Sequence, residues 1–482
     1  MVTFKTYQSG VGISALQRRQ YLLLPVILCI LFAACPAYCS VYFVAPDGND
    51  GNIGDINNPF KTIGKAVGKV VAGDTIYLRG GVHFYTTKIP TISKSGGSGI
   101  PMTLQNYQNE VPILDFNGVP YETGSNRGIN LGGSYWHFKG FTLRYAPDNG
   151  LYVTGSNNIF EQLIAYGNQD TGINLYTGAS YNQVINCDSY LNYDPCTHGE
   201  NADGFGAKGP TSCTTCLGPG NVFKDCRAWS NSDDGFDLWW AHNAVKIENC
   251  WAFRNGVNVW GDPCFAGDGQ GIKLGQGPGA HIVIHCMGYN NKHNGFDLNR
   301  SNGDTEPNGV TLYNCTGVNN LEKNFKFLDP NTGAIHVLRN NLSHLGSVTI
   351  GTLIDNTYNS WNGFTVSDAD FRSLDANGLD GPRGPNGELP KLAFLRLSAG
   401  SSLIDAGIDV NQPFYGDAPD LGAFEYLDGD CEPDGDVDWA DVGCLASNWL
   451  NANCGTCNGA DFDGDSKVNF YDFAIMAENW LK

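Results

Sequence analysis

The chain has 482 residues, of which 41% are apolar and only 16% charged, with a net charge of −20. That length suits one large domain with a small one, or a long repeat array, and so much apolar and aromatic content excludes a disordered chain. No basic stripe is present, which argues against a nucleic-acid partner and leaves calcium as the partner an acidic chain favours.

At the N-terminus, Lys5, Arg18 and Arg19 precede an apolar run at 21–34. Ala37, Tyr38 and Cys39 then offer small residues where an export signal is cut. Residues 1–39 read as a signal peptide, because the run is broken by Pro25 and is short for a membrane span. No other stretch spans a membrane. The expectation is a secreted monomer, extracellular or held at the cell surface. Of the sixteen cysteines, Cys29, Cys35 and Cys39 leave with the signal. The rest meet an oxidising setting that permits disulfides.

Residues 40–427 read as one domain. A strand at 41–44 and a short amphipathic helix at 62–71, covering an open end, lead into the first coil at 73–78. From about 125 to 330 a glycine followed by apolar, any, apolar recurs, beginning at Gly128, Gly150, Gly172, Gly204, Gly235, Gly271 and Gly295. The first two intervals are both 22 residues. Periods just above 20 with period-two strands predict a parallel β-helix, here of about ten coils, in which each coil buries its apolar face on its neighbours. Phe205, Phe236, Ile272, Phe296 and Phe325 form one inward column. Cys187, Cys226, Cys250, Cys286 and Cys315 form another, as buried thiols rather than disulfides. Five residues after each stands an asparagine (Asn192, Asn231, Asn255, Asn291 and Asn320), which predicts a ladder of amides along one turn.

The outward residue of the same strand carries the chemistry. In order it is Asn174, Gly206, Asp237, Lys273, Asp297 and Lys326. Rungs ~4.8 Å apart make Asp237 and Lys273 neighbours. Asp203 and Asp234 both precede an aligned glycine and stack likewise. A bare carboxylate cluster repels itself, so Asp203, Asp233, Asp234 and Asp237 are read as ligands of a calcium ion, with Lys273 as a base. On a uronic-acid polymer such a pair drives β-elimination: the cation neutralises the carboxylate and the neutral lysine removes the adjacent proton. Lys208, Lys292, Arg300 and Lys326 are candidates to bind substrate carboxylates.

Insertions near 193–202, 209–220 and 256–268 flank this site and carry Cys196, Cys213, Cys216 and Cys264. In an exported chain they read as disulfides bracing the loops, in preference to a zinc site with His198. Residues 330–427 lose the repeat and read as final coils with a loop packing back on the helix.

Residues 428–482 form a separate module. Asp461, Asp463, Asp465, Asn469 and Asp472 fall at positions 1, 3, 5, 9 and 12 of a calcium loop. Asp430, Glu432, Asp434, Asp438 and Asp441 repeat that spacing 31 residues earlier. The pair resembles a dockerin, a helical paired-loop module, which implies calcium binding and a cohesin-like protein partner.

The segments 201–205, 232–238 and 271–275, with Pro59 to Ile63 and Gly73 to Ile76, resemble polysaccharide lyase family 9. That resemblance implies a right-handed parallel β-helix with an asparagine ladder and calcium-dependent elimination on pectate, a plant polysaccharide. It implies Asp203, Asp233, Asp234 and Asp237 as ligands and Lys273 as the base. Rhamnogalacturonan is the alternative substrate. A β-helix glycoside hydrolase with paired aspartates and a non-catalytic carbohydrate-binding β-helix are the competing classes.

Overall fold

The computed structural model describes residues 39–122, 126–212, 215–300, 307–330 and 333–480. The signal-peptide reading falls outside the described residues, Cys39 apart. Among the described residues, short strands collect into three sheets of 12, 10 and 9 strands, and successive coils pair in parallel. The strands are two to five residues long, too short to stand alone, so stability comes from stacking. No described helix is long and apolar enough to cross a membrane.

The predicted columns form. Phe205, Phe236, Ile272, Phe296 and Phe325 are at most 1% exposed. Phe205 stacks on Phe236 at 4.9 Å, and Phe296 on Phe325 at 4.8 Å. Each buried phenylalanine contributes roughly 1.5–3 kcal/mol. Helix Ile63–Lys69, capped by the Thr62 hydroxyl, adds Ile63 and Ala66 to the same core.

The bends between sheets share one device. A single residue takes positive φ, as at Leu191, Ser230, Arg254, Asn290 and Asn319. The next residue is the ladder asparagine. Its side-chain oxygen accepts the backbone N–H of the preceding coil, as Asn255 does from Asn231 at 3.1 Å. The ladder begins earlier than predicted, at Asn168, and closes on Asn324. A second ladder, absent from the sequence reading, runs through Asn158, Asn182 and Asn221. Further along the same edge His281 Nδ1 accepts from Val245 N–H, and His336 Nδ1 from Val310 N–H. The cysteine column is buried and unpaired, as predicted. Its sulfurs also take the ladder role: Cys250 Sγ accepts from Cys226 N–H at 3.4 Å.

The segment after the last coil packs back on the 10-stranded sheet, placing Phe371, Leu379, Phe394 and Leu397 against Trp229, Trp251 and Phe253. Asp188 clamps it. Arg227 holds both Asp188 oxygens at 2.7–2.8 Å and donates to the carbonyls of Leu379 and Gly381, while Arg383 of the returning segment donates to Asp188 Oδ1.

The loop disulfides need correction. Cys216 is disulfide-bonded, but Cys196 and Cys264 are free thiols, and Cys213 lies outside the described residues. Those two loops are braced by side chains instead. The Tyr193 hydroxyl donates to Asp262 at 2.6 Å, His198 sits 3.0 Å from the same carboxylate, and Tyr193, Trp260 and Phe265 stack.

Beyond 427 a small core gathers Leu445, Val468 and Met476 around two helices, Trp439–Ser447 and Phe470–Glu478. Cys431 bonds Cys444, and Cys454 bonds Cys457. Both helices start on the same capping box, Asp438 with Asp441 and Asn469 with Asp472.

Candidate active site

The 9-stranded sheet places the site. Its register pairs Gly206 with Asp237, Asp237 with Lys273, and Lys273 with Asp297. The residues ahead of the aligned glycines stack as well, since Gly172 N–H donates to Asp203 O, and Gly204 N–H to Asp234 O. A cavity of about 390 Å³ opens over this face, lined by Lys208, Asp233, Asp237 and Lys273 among others.

Backbone donors orient the carboxylates. One oxygen of Asp203 accepts from Asp234 N–H, one of Asp234 from Gln270 N–H, and one of Asp237 from Trp239 N–H. Asp233 accepts on both oxygens, from Asn201 and Asp268 N–H. In Asp234 and Asp237 the second oxygen is left for the cluster, and that of Asp203 is shared between the Thr171 hydroxyl and the cluster. There Lys208 reaches Asp203 at 2.5 Å and Asp237 at 2.7 Å, and Lys273 reaches Asp234 at 2.9 Å. Gly206 makes room for this: a Cβ there would stand 2.7 Å from Asn174 Oδ1 and 3.3 Å from Lys208 Cε.

Four carboxylates thus face two ammonium groups, so the cluster, were every carboxylate ionised, would stand two charges short of neutrality. Burial raises the Asp203 carboxyl to about 7 against the pull of Lys208, with Asp237 and Asp233 adding to the rise. Burial likewise drives Asp234 well above the usual carboxylate range. Asp237 lies lower than usual: burial works to raise it, but Lys208 and Lys273 outweigh that. Burial works to lower the Lys273 amine, yet Asp234, Asp237, Asp233 and Asp268 hold it well above free lysine. Ligand oxygens of Asp203, Asp233 and Asp234 lie within 4.8 Å of one another, a separation one oxygen-seeking divalent cation can bridge. The charge deficit, the oxygen donors and the spare lone pairs all fit calcium.

Of the substrate-binding candidates, only Lys208 lines the cavity. Lys292 lies over the Phe265 ring at 5.7 Å, Lys326 pairs with Asp297 at 3.5 Å, and Arg300 donates to the Asp329 carbonyl. The sequence reading missed Thr171, whose hydroxyl donates to Asp203 at 2.8 Å, and Asp268, 3.5 Å from Lys273. Thr171 precedes an aligned glycine, so extending that column would have found it. Asp268 sits on an insertion, where no periodicity points to it.

Polysaccharide lyases are the class this pairing of fold and site defines, and comparison with known proteins agrees. The family model for the Pel9A-like, right handed beta helix region matches residues 42–341. Pectate lyase L of Dickeya dadantii is 41% identical over 396 residues, covering 80% of this chain and 90% of that protein. The crystal structure of pectate lyase Pel9A is 40% identical, with a TM-score of 0.73 over 80% of this chain and 96% of its own. A structure titled rhamnogalacturonan lyase is 30% identical, with a TM-score of 0.66 over 75% of this chain and 97% of its own. The chain belongs to the Pel9A-like right-handed β-helix family.

Proposed function

We propose that this lyase is a secreted, calcium-dependent pectate lyase that cleaves polygalacturonate by β-elimination, with Lys273 as the base. One observation carries the reading: the register sets Lys273 beside Asp237, its amine 2.9 Å from Asp234, in a groove over a carboxylate cluster short of positive charge. The kinship with pectate lyases supports the substrate.

Asp203, Asp233, Asp234 and Asp237 would hold the calcium, and the ion would supply Lewis-acid neutralisation of the uronate carboxylate. The rest falls to the chain. The neutral Lys273 amine takes the proton from the carbon next to the carboxylate. The freed electron pair forms the C4–C5 double bond, the bond from C4 to the linking oxygen breaks, and that oxygen takes a proton from water. Carboxylates engaged by a cation no longer hold the Lys273 amine up, and burial then favours its neutral form.

Residues 428–482 are proposed to be a second calcium-binding module, with a cohesin-like protein as the partner. Support comes from the convergence of Asp461, Asp463 and Asp472, and of Asp436, Asp438 and Asp441. Asp436 was not among the ligands predicted there.

Rhamnogalacturonan is the second substrate reading, favoured by the 30% identity to a rhamnogalacturonan lyase. The test incubates the full chain with polygalacturonate and with rhamnogalacturonan, with calcium or chelator, and follows the ultraviolet absorbance of the new double bond. Calcium-dependent absorbance on polygalacturonate is expected. Cleavage without absorbance would mean a hydrolase and leave Lys273 without its role.

A further inference from the structure

The groove extends past the carboxylate cluster. The residues ahead of the aligned glycines run in register as Arg127, Asn149, Thr171, Asp203 and Asp234, each coil's glycine N–H donating to the next member's carbonyl. Arg127 therefore stands three rungs from Asp203 and five from Gln270, which shares the coil of Lys273, roughly 14 and 24 Å along the axis at ~4.8 Å per rung. It lines the same cavity as Lys208 and Lys273.

Its guanidinium is held flat. The carbon lies 3.5 Å from the centre of the Tyr152 ring, Nε donates to Asn149 Oδ1 at 3.3 Å, and Nε lies 3.4 Å from Asp148. The side chain is only 18% exposed. Among the described residues nothing accepts from its two terminal nitrogens. Asp148 offsets the charge, so the guanidinium offers two parallel N–H donors rather than a strong field. A planar pair of donors fixed on an aromatic face matches a carboxylate. The other cations expected to bind substrate, Lys292, Lys326 and Arg300, do not line this cavity.

We propose that Arg127, seated on Tyr152, is a distal subsite that grips a uronate carboxylate several sugars away from the bond being cut, so that the enzyme favours long acidic chains. This rests on the reading of the groove as the site of an acidic-polysaccharide lyase.

The test compares wild type, Arg127→Ala and Arg127→Lys on a trigalacturonate, too short to span both ends, and on polygalacturonate. A charge-assisted pair of hydrogen bonds predicts a KM for the polymer raised about 10-fold or more in Arg127→Ala. The polymer kcat and the trimer kcat/KM should hold. Arg127→Lys, a point charge without the fork, should recover only part of the loss. Equal losses on both substrates with a lower unfolding temperature would mean a structural partner of Asp148 and overturn the proposal, as would no change on the polymer. Should Arg127→Ala fail to fold, Arg127→Gln carries the same comparison. Failure of wild type to cleave any uronate polymer would instead sink the lyase reading, and is read from the wild-type control.

Discussion

Lys273 and Lys208 sit on the same carboxylates and should answer differently to mutation. Lys273→Ala removes the proposed base, so kcat should fall about 10²–10⁴-fold while the fold is kept, and calcium binding should hold or tighten because Asp234 loses a competing cation. Lys273→Arg should be equally inactive, because a guanidinium does not give up its proton in a protein. Activity retained in either variant would end the assignment. Lys208→Ala removes a cation that competes for Asp203 and Asp237. Titration calorimetry should then show tighter calcium binding, whereas turnover on polymer should fall. The position of Lys273 beside Asp237 was legible from sequence because strand alternation fixes which residue faces outward. The seat of Lys208 was not, since a flexible side chain settles by packing rather than by period.

Among the elements, the ladders and the returning segment hold the coils in register. His281 occupies a ladder position, and burial pushes its imidazole down to about 3. Above the unfolded value of about 6.5 both states are neutral and the rung is intact. As pH falls from there towards 3, the unfolded chain takes up a proton that the folded chain refuses, so stability drops by about 1.4 kcal/mol per unit. Denaturant unfolding between pH 7 and 4 should show this slope reduced in His281→Asn. That variant keeps an acceptor of the kind used at Asn158, Asn182 and Asn221. An unchanged slope would remove His281 from the account. On the adjoining sheet, Asp188→Asn leaves Arg227 and Arg383 buried without their counter-ion and should cost about 3–5 kcal/mol in urea unfolding. The asparagine ladder could be read from a five-residue spacing. Half of the clamp could be read too, since Asp188 and Arg227 each follow an aligned cysteine and pair in register, but Arg383 lies 195 residues from Asp188 with no repeat to connect them.

For the whole molecule, the proposed calcium binding would be coupled to stability. A ligand that binds only the folded chain raises its stability by about 2.7 kcal/mol at a hundred times its dissociation constant. Calcium should therefore raise the unfolding temperature in a concentration-dependent way and chelator should reverse it. Asp234→Asn should lose part of the shift, and what remains would report the loops of 428–482. No shift at any calcium concentration would contradict both proposed ion sites.

The residue sequence by itself determined the coil, the inward columns, the ladder asparagines and the order Asp237, Lys273, Asp297 along the outer face. It could do so because strand side chains alternate strictly and rungs stack at a fixed height. A one-residue slip would turn a whole buried column into water, so only one register survives. Tertiary structure alone decided that Asp268 closes on Lys273, that Lys208 bridges two aspartates, that Cys196 and Cys264 stay unpaired, and that Asp188 holds the returning segment. Those contacts are made by insertions and long side chains, whose positions follow from packing and charge balance rather than from any period.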